Sequence, residues 1–248
     1  TFGDEEFYDG VNLLPNEFYE KLVSSKELPQ TSLVNEYRWS EVFEEYTKNG
    51  DELVVITISS KLSGTYNAAC DAAKKYEGVY VVDSLNACTG ERLLLLYALS
   101  LKEKGLSAKE IVAMVENVKS KVNILAMVDT LKYLKMGGRI SATTAFVGEM
   151  LAIKPIVAII GGEVKQVGKA MGVKKAFSFL KTFVENKGGV DFNKPYGLVW
   201  SGNQQVGLEK FMVDGKKIWE ENGNDISKYI IGSTIGTHVG PGAVGIAF

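Results

Sequence analysis

The text "ITISSKLSGTY" at residues 56–66 gathers Ser59, Ser60, Ser63 and Thr65 around Gly64, between an apolar β-branched run and the start of an Ala-rich helix. A carboxylate or phosphate suits such a place. The first amides of a helix lack partners within it, the helix dipole is positive at that end, and hydroxyls add further donors. Ser63 or Thr65 can equally act as a helix cap, and the residues alone leave both readings open, although four hydroxyls exceed what capping requires. The loop has neither the lysine of a phosphate-cradling P-loop nor the spacing of a dinucleotide fingerprint, so nucleotide binding is not indicated.

Two other segments carry candidate chemistry. "THVGPG" at residues 237–242 holds His238, the only histidine of the chain, in what reads as a Gly- and Pro-rich loop before the last strand. An imidazole there can donate a hydrogen bond to a carboxylate, act as a base, or hold a turn. With no cysteine or acidic cluster near it, a zinc site is not indicated. In "LKYLKMGGRISA", residues 131–142, a helix reads as ending at Gly137-Gly138 and passing Arg139 into a loop. Its guanidinium suits an anion, or equally the carbonyls of a helix end. Asp83 and Asp129 each follow a strand, where both active-site acids and helix caps occur. Neither has a paired acid, a metal motif or a nucleophile elbow, so neither is assigned a catalytic role.

The elements that position these residues follow from hydrophobic period. Residues 15–25 read as a helix, a Pro-containing loop carries Thr31 and Ser32, and a second helix is expected near residues 40–49. The run "ELVVITI" at residues 52–58 reads as a strand buried on both faces. After it come the hydroxyl loop, a helix from residue 66, a strand at 78–84, and helices at 91–104 and 108–119. Strands alternating with helices imply a parallel sheet. Beyond residue 120 the pattern changes to strands at "NILAMVD" and "KPIVAII", a hairpin through Gly161-Gly162 into "GEVKQVG", strands at 196–200 and 228–232, and "AVGIAF" at the end. Helices are expected at 130–136, 172–186 and 204–222. The fold class is therefore α/β, with a parallel-sheet domain over residues 1–120 and an α+β domain with a mixed sheet over residues 121–248.

Composition narrows the function. Among 248 residues, 28 Lys and Arg nearly balance 30 Asp and Glu, so no basic footprint for nucleic acid or an anionic membrane is present. No apolar run approaches the roughly 20 residues of a membrane span, and the longest, around residues 151–160, is interrupted by Lys154 and Pro155. Cys70 and Cys88, the only cysteines, fit a reducing cytoplasm, and the acidic start of the chain is unlike a signal peptide.

Taken in order, "PQTS", "ITISSKLSGTYNAA", "VVDS", "DTLKYLKMGGRIS", "LAIKPIV", "KKA" and "IGTHVGPGAVGIAF" resemble the successive motifs of the DegV family, from about residue 29 to the end. The resemblance implies two α/β-type domains and one long-chain fatty acid held between and within them. Its carboxylate would lie at polar loops and its acyl chain in an apolar tunnel, with no metal or cofactor. It further implies that the protein presents its fatty acid to a separate ATP-dependent fatty acid kinase, which makes an acyl phosphate for phospholipid synthesis. Carried over by motif position, Thr31, Ser60, His238 and Arg139 would bind the carboxylate, while Ser59, Ser63, Gly64 and Thr65 would shape the loop.

The chain departs from the family in several places. Family members open with a strand ending in an Asp-Ser loop, which is lacking here, so a preceding segment is expected. The family often has an arginine where "KAMGVKKA" has Met171; if that arginine docks the kinase or reads the phosphate, another group such as Lys169, or a different partner, is expected here. "TSLV" stands where "TSQP" is usual, and Cys88 where serine is common. Two other readings compete with a carrier of fatty acid. One is a hydrolase or acyltransferase using Ser60 or Ser63 with His238, and the other is a carrier of another anionic amphiphile such as a prenyl phosphate or a sterol acid.

Overall fold

The computed structural model describes residues 1–140, 152–202, 204–219 and 226–248. The chain packs as two compact units. Unit 1 comprises Thr1–Thr31, Asn123–Ala158 and Val164–Phe248, and unit 2 comprises Ser32–Val122 and Ile159–Glu163.

Unit 2 contains a β-loop-α-β core. Strand β1 (Leu53–Thr57) pairs in parallel with β2 (Val79–Asp83), in a register that sets Thr57 beside Asp83. A right-handed crossover through a helix is the usual way to join parallel neighbours, and α3 (Thr65–Ala73) makes this connection. The continuous apolar run of β1 led to the expectation of a strand covered on both faces, but only Thr57 is fully buried and the rest of the strand is half-buried. The apolar sides that are covered meet α4 (Cys88–Glu103) and α5 (Ala108–Val118). Val82, Leu94, Ala98, Leu101, Ile111 and Val115 form that core. Helix α5 opens with a reciprocal cap in which Ser107 accepts from the Glu110 amide and Glu110 accepts from the Ser107 amide. Helix α2 (Glu36–Thr47) begins four residues before the expected position because Asn35 accepts from the Arg38 amide and caps it there.

Unit 1 is built on a mixed six-stranded sheet in the order β5-β4-β3-β8-β6-β7. Its strands are β3 (Ile124–Met127), β4 (Ile153–Ile160), β5 (Glu163–Met171), β6 (Gly197–Trp200), β7 (Lys228–Ile230) and β8 (Val244–Ala247). β3 runs antiparallel to both β4 and β8, and β6 runs antiparallel to β8 but parallel to β7. β4 and β5 join through Gly161 and Gly162 at φ 61 and 86, the left-handed pair that a two-residue hairpin turn requires. One face of the sheet, through Leu125, Met127, Ile156, Leu198, Val244 and Ile246, packs on α7 (Val173–Asn186) and α8 (Gln205–Asp214). The long helix expected over 204–222 is instead α8 and a short α9 (Lys216–Trp219), divided at Gly215, and residues 220–222 lie outside the described ones.

A smaller cluster supports the site. Helix α1 (Pro15–Ser24) buries Phe18, Tyr19 and Leu22 with Leu13, against Tyr133 and Ile230. It also packs on α10 (Ser233–Val239), the helix that ends in His238. The sequence reading put His238 in a loop. The residue is in the last turn of a seven-residue helix, held at its start by a partner distant in sequence, Asp9, whose carboxylate accepts from the Ser233 and Thr234 amides at 2.8 Å each. Burial pushes the Asp9 carboxyl up, but those two amides together with the Ser233 and Thr234 hydroxyls outweigh it and hold the group below its ordinary value.

Candidate functional site

Unit 2 arranges the hydroxyl loop tightly around its own backbone. The Ser59 amide donates to the Asn86 carbonyl at 2.8 Å, the Leu62 and Ser63 amides to the Ser59 carbonyl, the Lys61 amide to Ser59 Oγ and the Thr65 amide to Ser63 Oγ. Asp83 Oδ1 accepts the Ser60 amide at 3.1 Å and the Leu85 amide at 3.0 Å. Asp83 is therefore a brace, neither a helix cap nor a free acid. The amides of Ser59, Ser60, Lys61, Leu62, Ser63 and Thr65 are thus engaged by the loop itself or by Asn86 and Asp83, because a buried amide without a partner costs about 1–3 kcal/mol.

The hydroxyls divide in the same way. Ser59 Oγ is buried and donates to the Gly162 carbonyl at 2.8 Å, where the glycine turn comes so close that a Cβ on Gly162 would stand 2.6 Å from the hydroxyl. Ser63 and Thr65 hydrogen-bond one another at 2.9 Å, and Thr65 also accepts the Val34 amide. The half-buried Ser60 hydroxyl, among the described residues, makes no hydrogen bond and keeps its donor. Gly64 is exposed and contributes space.

Unit 1 brings three of the candidate residues together. Thr31 Oγ1 lies 2.9 Å from His238 Nε2. Arg139 stands near the same ring, with a guanidinium nitrogen donating to the Gly137 carbonyl. Helix α6 (Lys132–Met136) sets the arginine there: Gly138 at φ 67 ends the helix, its amide donates to the Lys135 carbonyl, and the Arg139 amide donates to the Leu134 carbonyl. Those two bonds complete a Schellman motif, which fixes the direction in which the chain leaves. Ser141, next in the "GGRIS" text, lies outside the described residues.

The electrostatics of the imidazole are unusual. Burial first and the Arg139 charge second push its pKa down to about 4 from 6.5, so the ring is neutral at physiological pH. Nδ1 is buried and has no hydrogen-bond partner among the described residues. A bare lone pair is less costly to bury than an N–H without an acceptor, and it suits a neighbouring cation. The proton is thereby assigned to Nε2, which donates to Thr31 Oγ1 and leaves the threonine hydroxyl hydrogen free to donate onward.

Asp129, at the end of β3, pairs with Lys154 of β4. Among the described residues no group of three His, Cys, Asp or Glu side chains could hold a metal, and no helix is long and apolar enough to cross a membrane. Unit 1 also has a cleft of about 400 Å³ lined by Tyr19, Glu20, Val23, Gly202, Gln204 and Pro241, among others. The Glu20 carboxylate on its wall makes it a poor seat for an anion.

A two-stranded parallel sheet together with a mixed six-stranded sheet, both packed with helices, defines an α/β protein class. Comparison with known proteins makes this specific: the chain belongs to the DegV family, which it matches over residues 1–248 under the description of an uncharacterised protein of that family. A DegV domain-containing protein of Clostridium perfringens is 39% identical over 191 residues, which cover 73% of this chain and 65% of that protein. A DegV family protein of Thermus thermophilus, solved in a study of its fatty acid binding, superposes with a TM-score of 0.85 at 27% identity, covering 97% of this chain and 86% of that one. DegV of Bacillus subtilis, described as a fatty acid binding protein, gives 0.82 at 28% identity, covering 100% and 88%.

Proposed function

We propose that this protein binds a single long-chain fatty acid and acts as its carrier. The observation that carries the reading is the Thr31–His238 contact at 2.9 Å beside Arg139, in a family whose solved members from Thermus thermophilus and Bacillus subtilis bind fatty acids. A carboxylate leaving water needs several donors, and charge-assisted ones are the strongest. Arg139 supplies the charge and Thr31, oriented by His238, supplies a hydroxyl. Ser60, the loop hydroxyl that makes no other hydrogen bond, is assigned to the carboxylate as well, with Ser59, Ser63, Gly64 and Thr65 holding its loop in shape. The acyl chain occupies an apolar tunnel, where each buried methylene contributes about 0.8 kcal/mol, so firm binding requires no chemistry.

In this reading the carrier presents its fatty acid in the cytoplasm to a separate ATP-dependent kinase subunit, which forms an acyl phosphate for phospholipid synthesis. Lys169 and Met171, both exposed at the end of β5, are assigned to that encounter. The alternative of a serine hydrolase is weaker. A base near pKa 4, next to a cation and without a carboxylate on its second nitrogen, takes a proton poorly.

Native mass spectrometry of the purified protein, followed by denaturation and identification of the released molecule, tests the function. A stoichiometric adduct of fatty-acid mass is expected. A ligand-free protein that also fails to take up added palmitate or oleate would remove the fatty-acid reading.

Acid titration supplies a second expectation. Between pH 6.5 and about 4 the unfolded chain carries a proton on His238 that the folded chain does not, so stability falls with acidification across that window and levels below it. After discounting for the ring's partial exposure, the loss is about 1 kcal/mol. Urea midpoints measured from pH 7 to pH 4 should fall less steeply in His238→Ala than in the parent.

A further inference from the structure

The two glycines before Arg139 perform different tasks. Gly138 stops α6, since its φ of 67 and the two Schellman bonds around it need a residue free to enter the left-handed region. Gly137 has φ −75 and ψ −6, a conformation open to any residue, and the helix stop makes no demand on it. Yet a Cβ built on Gly137 would stand 2.1 Å from His238 Nδ1 and 2.9 Å from His238 Cε1. The space is therefore reserved for a side chain from another helix. On the other side of the same contact, a Cβ on Gly240 would stand 2.2 Å from Cδ2 of Tyr133. Helices α6 and α10 thus interlock reciprocally: each places a ring where the other lacks a Cβ, His238 over Gly137 and Tyr133 over Gly240.

We infer that Gly137 is a positioning residue of the ligand site, whose missing side chain seats the His238 imidazole at hydrogen-bonding distance from Thr31. The inference rests on the reading that His238 and Thr31 serve the carboxylate. A ring enclosed by Gly137 on one edge and Thr31 on the other has one arrangement that satisfies Nε2. The buried, unpartnered Nδ1 lies against Gly137, at the position a Cβ there would occupy. A methyl group at residue 137 would force the imidazole to turn about its side-chain torsions, since the backbone it would otherwise push belongs to a packed helix pair.

The single histidine makes the test direct. The proton resonance of the His238 ring is followed by NMR over pH, urea midpoints are measured, and palmitate affinity is determined for the parent, Gly137→Ala, His238→Ala and the double variant. In Gly137→Ala the ring is expected to titrate closer to pH 6.5 than in the parent, and palmitate Kd is expected to rise at least about tenfold, the loss of one hydrogen bond to a charged group. Alanine at 137 added to His238→Ala should change neither Kd nor the urea midpoint, because the ring it displaces is gone. An unshifted titration in Gly137→Ala, or equal damage from that substitution with and without the imidazole, would overturn the inference. Should His238→Ala bind palmitate like the parent, the carboxylate reading fails, while the titration and the urea cycle still decide whether Gly137 seats the ring.

Discussion

Alanine in place of His238 is expected to weaken palmitate binding about 10- to 100-fold, the equivalent of losing a hydrogen-bond arrangement to a charged group worth about 1.5–3 kcal/mol. The imidazole acts through Thr31. With Nε2 donating to Thr31 Oγ1 at 2.9 Å, the threonine hydroxyl hydrogen is directed away from the ring, towards a ligand. Without the ring, the hydroxyl can satisfy itself locally and loses that direction. The folded state should tolerate the change, because the ring is neutral and its Nδ1 already lacks a partner, so removing it leaves no buried charge. Isothermal titration with palmitate, alongside a urea melt, separates the two effects. Unchanged affinity in a folded variant would take His238 out of the site.

Much of this architecture is legible in the residues themselves. The alternation of "ELVVITI", hydroxyl loop, Ala-rich helix and "VYVVD" foretells β1, α3 and β2, because apolar period and turn chemistry are local properties. The hairpin through Gly161 and Gly162 is equally local, since only the left-handed turn is compatible with both its length and its composition. What escapes the sequence is non-local. "THVGPG" reads as a loop because its glycines and proline punctuate it, and the carboxylate that starts the helix carrying His238 comes from Asp9, more than two hundred positions earlier. Asp83 reads as a cap or an acid, and its role as a brace depends on strand pairing that sets it beside Thr57 and thus under the Ser60 amide.

The candidate site was legible to the same extent. Residue types announced donors at Ser60, Thr31, Arg139 and His238, but which amides would be consumed within the loop, and which hydroxyls, followed only from the fold. Gly-Gly before Arg139 announced a helix end. That one glycine of the pair ends the helix while the other makes room for a ring depends on a contact between residues a hundred positions apart.

Phe177→Ala is expected to cost about 3–5 kcal/mol of stability, the range for removing a fully buried phenylalanine. The Phe177 side chain has no exposure and sits in the core of unit 1, with its ring centroid 5.2 Å from that of Phe211. Neighbours Ala176, Leu180 and Val184 are equally enclosed. A side chain packed on all sides by sheet and helix residues fills space that an acyl chain would need. Truncation should therefore lower the urea midpoint strongly while leaving Kd for palmitate, measured where the variant remains folded, within about twofold of the parent. A shift in preference towards longer acyl chains would mean that the void joins the tunnel, because an apolar cavity accepts an apolar guest. Stability and chain-length preference, measured on the same variant, thus distinguish a core residue from a tunnel residue.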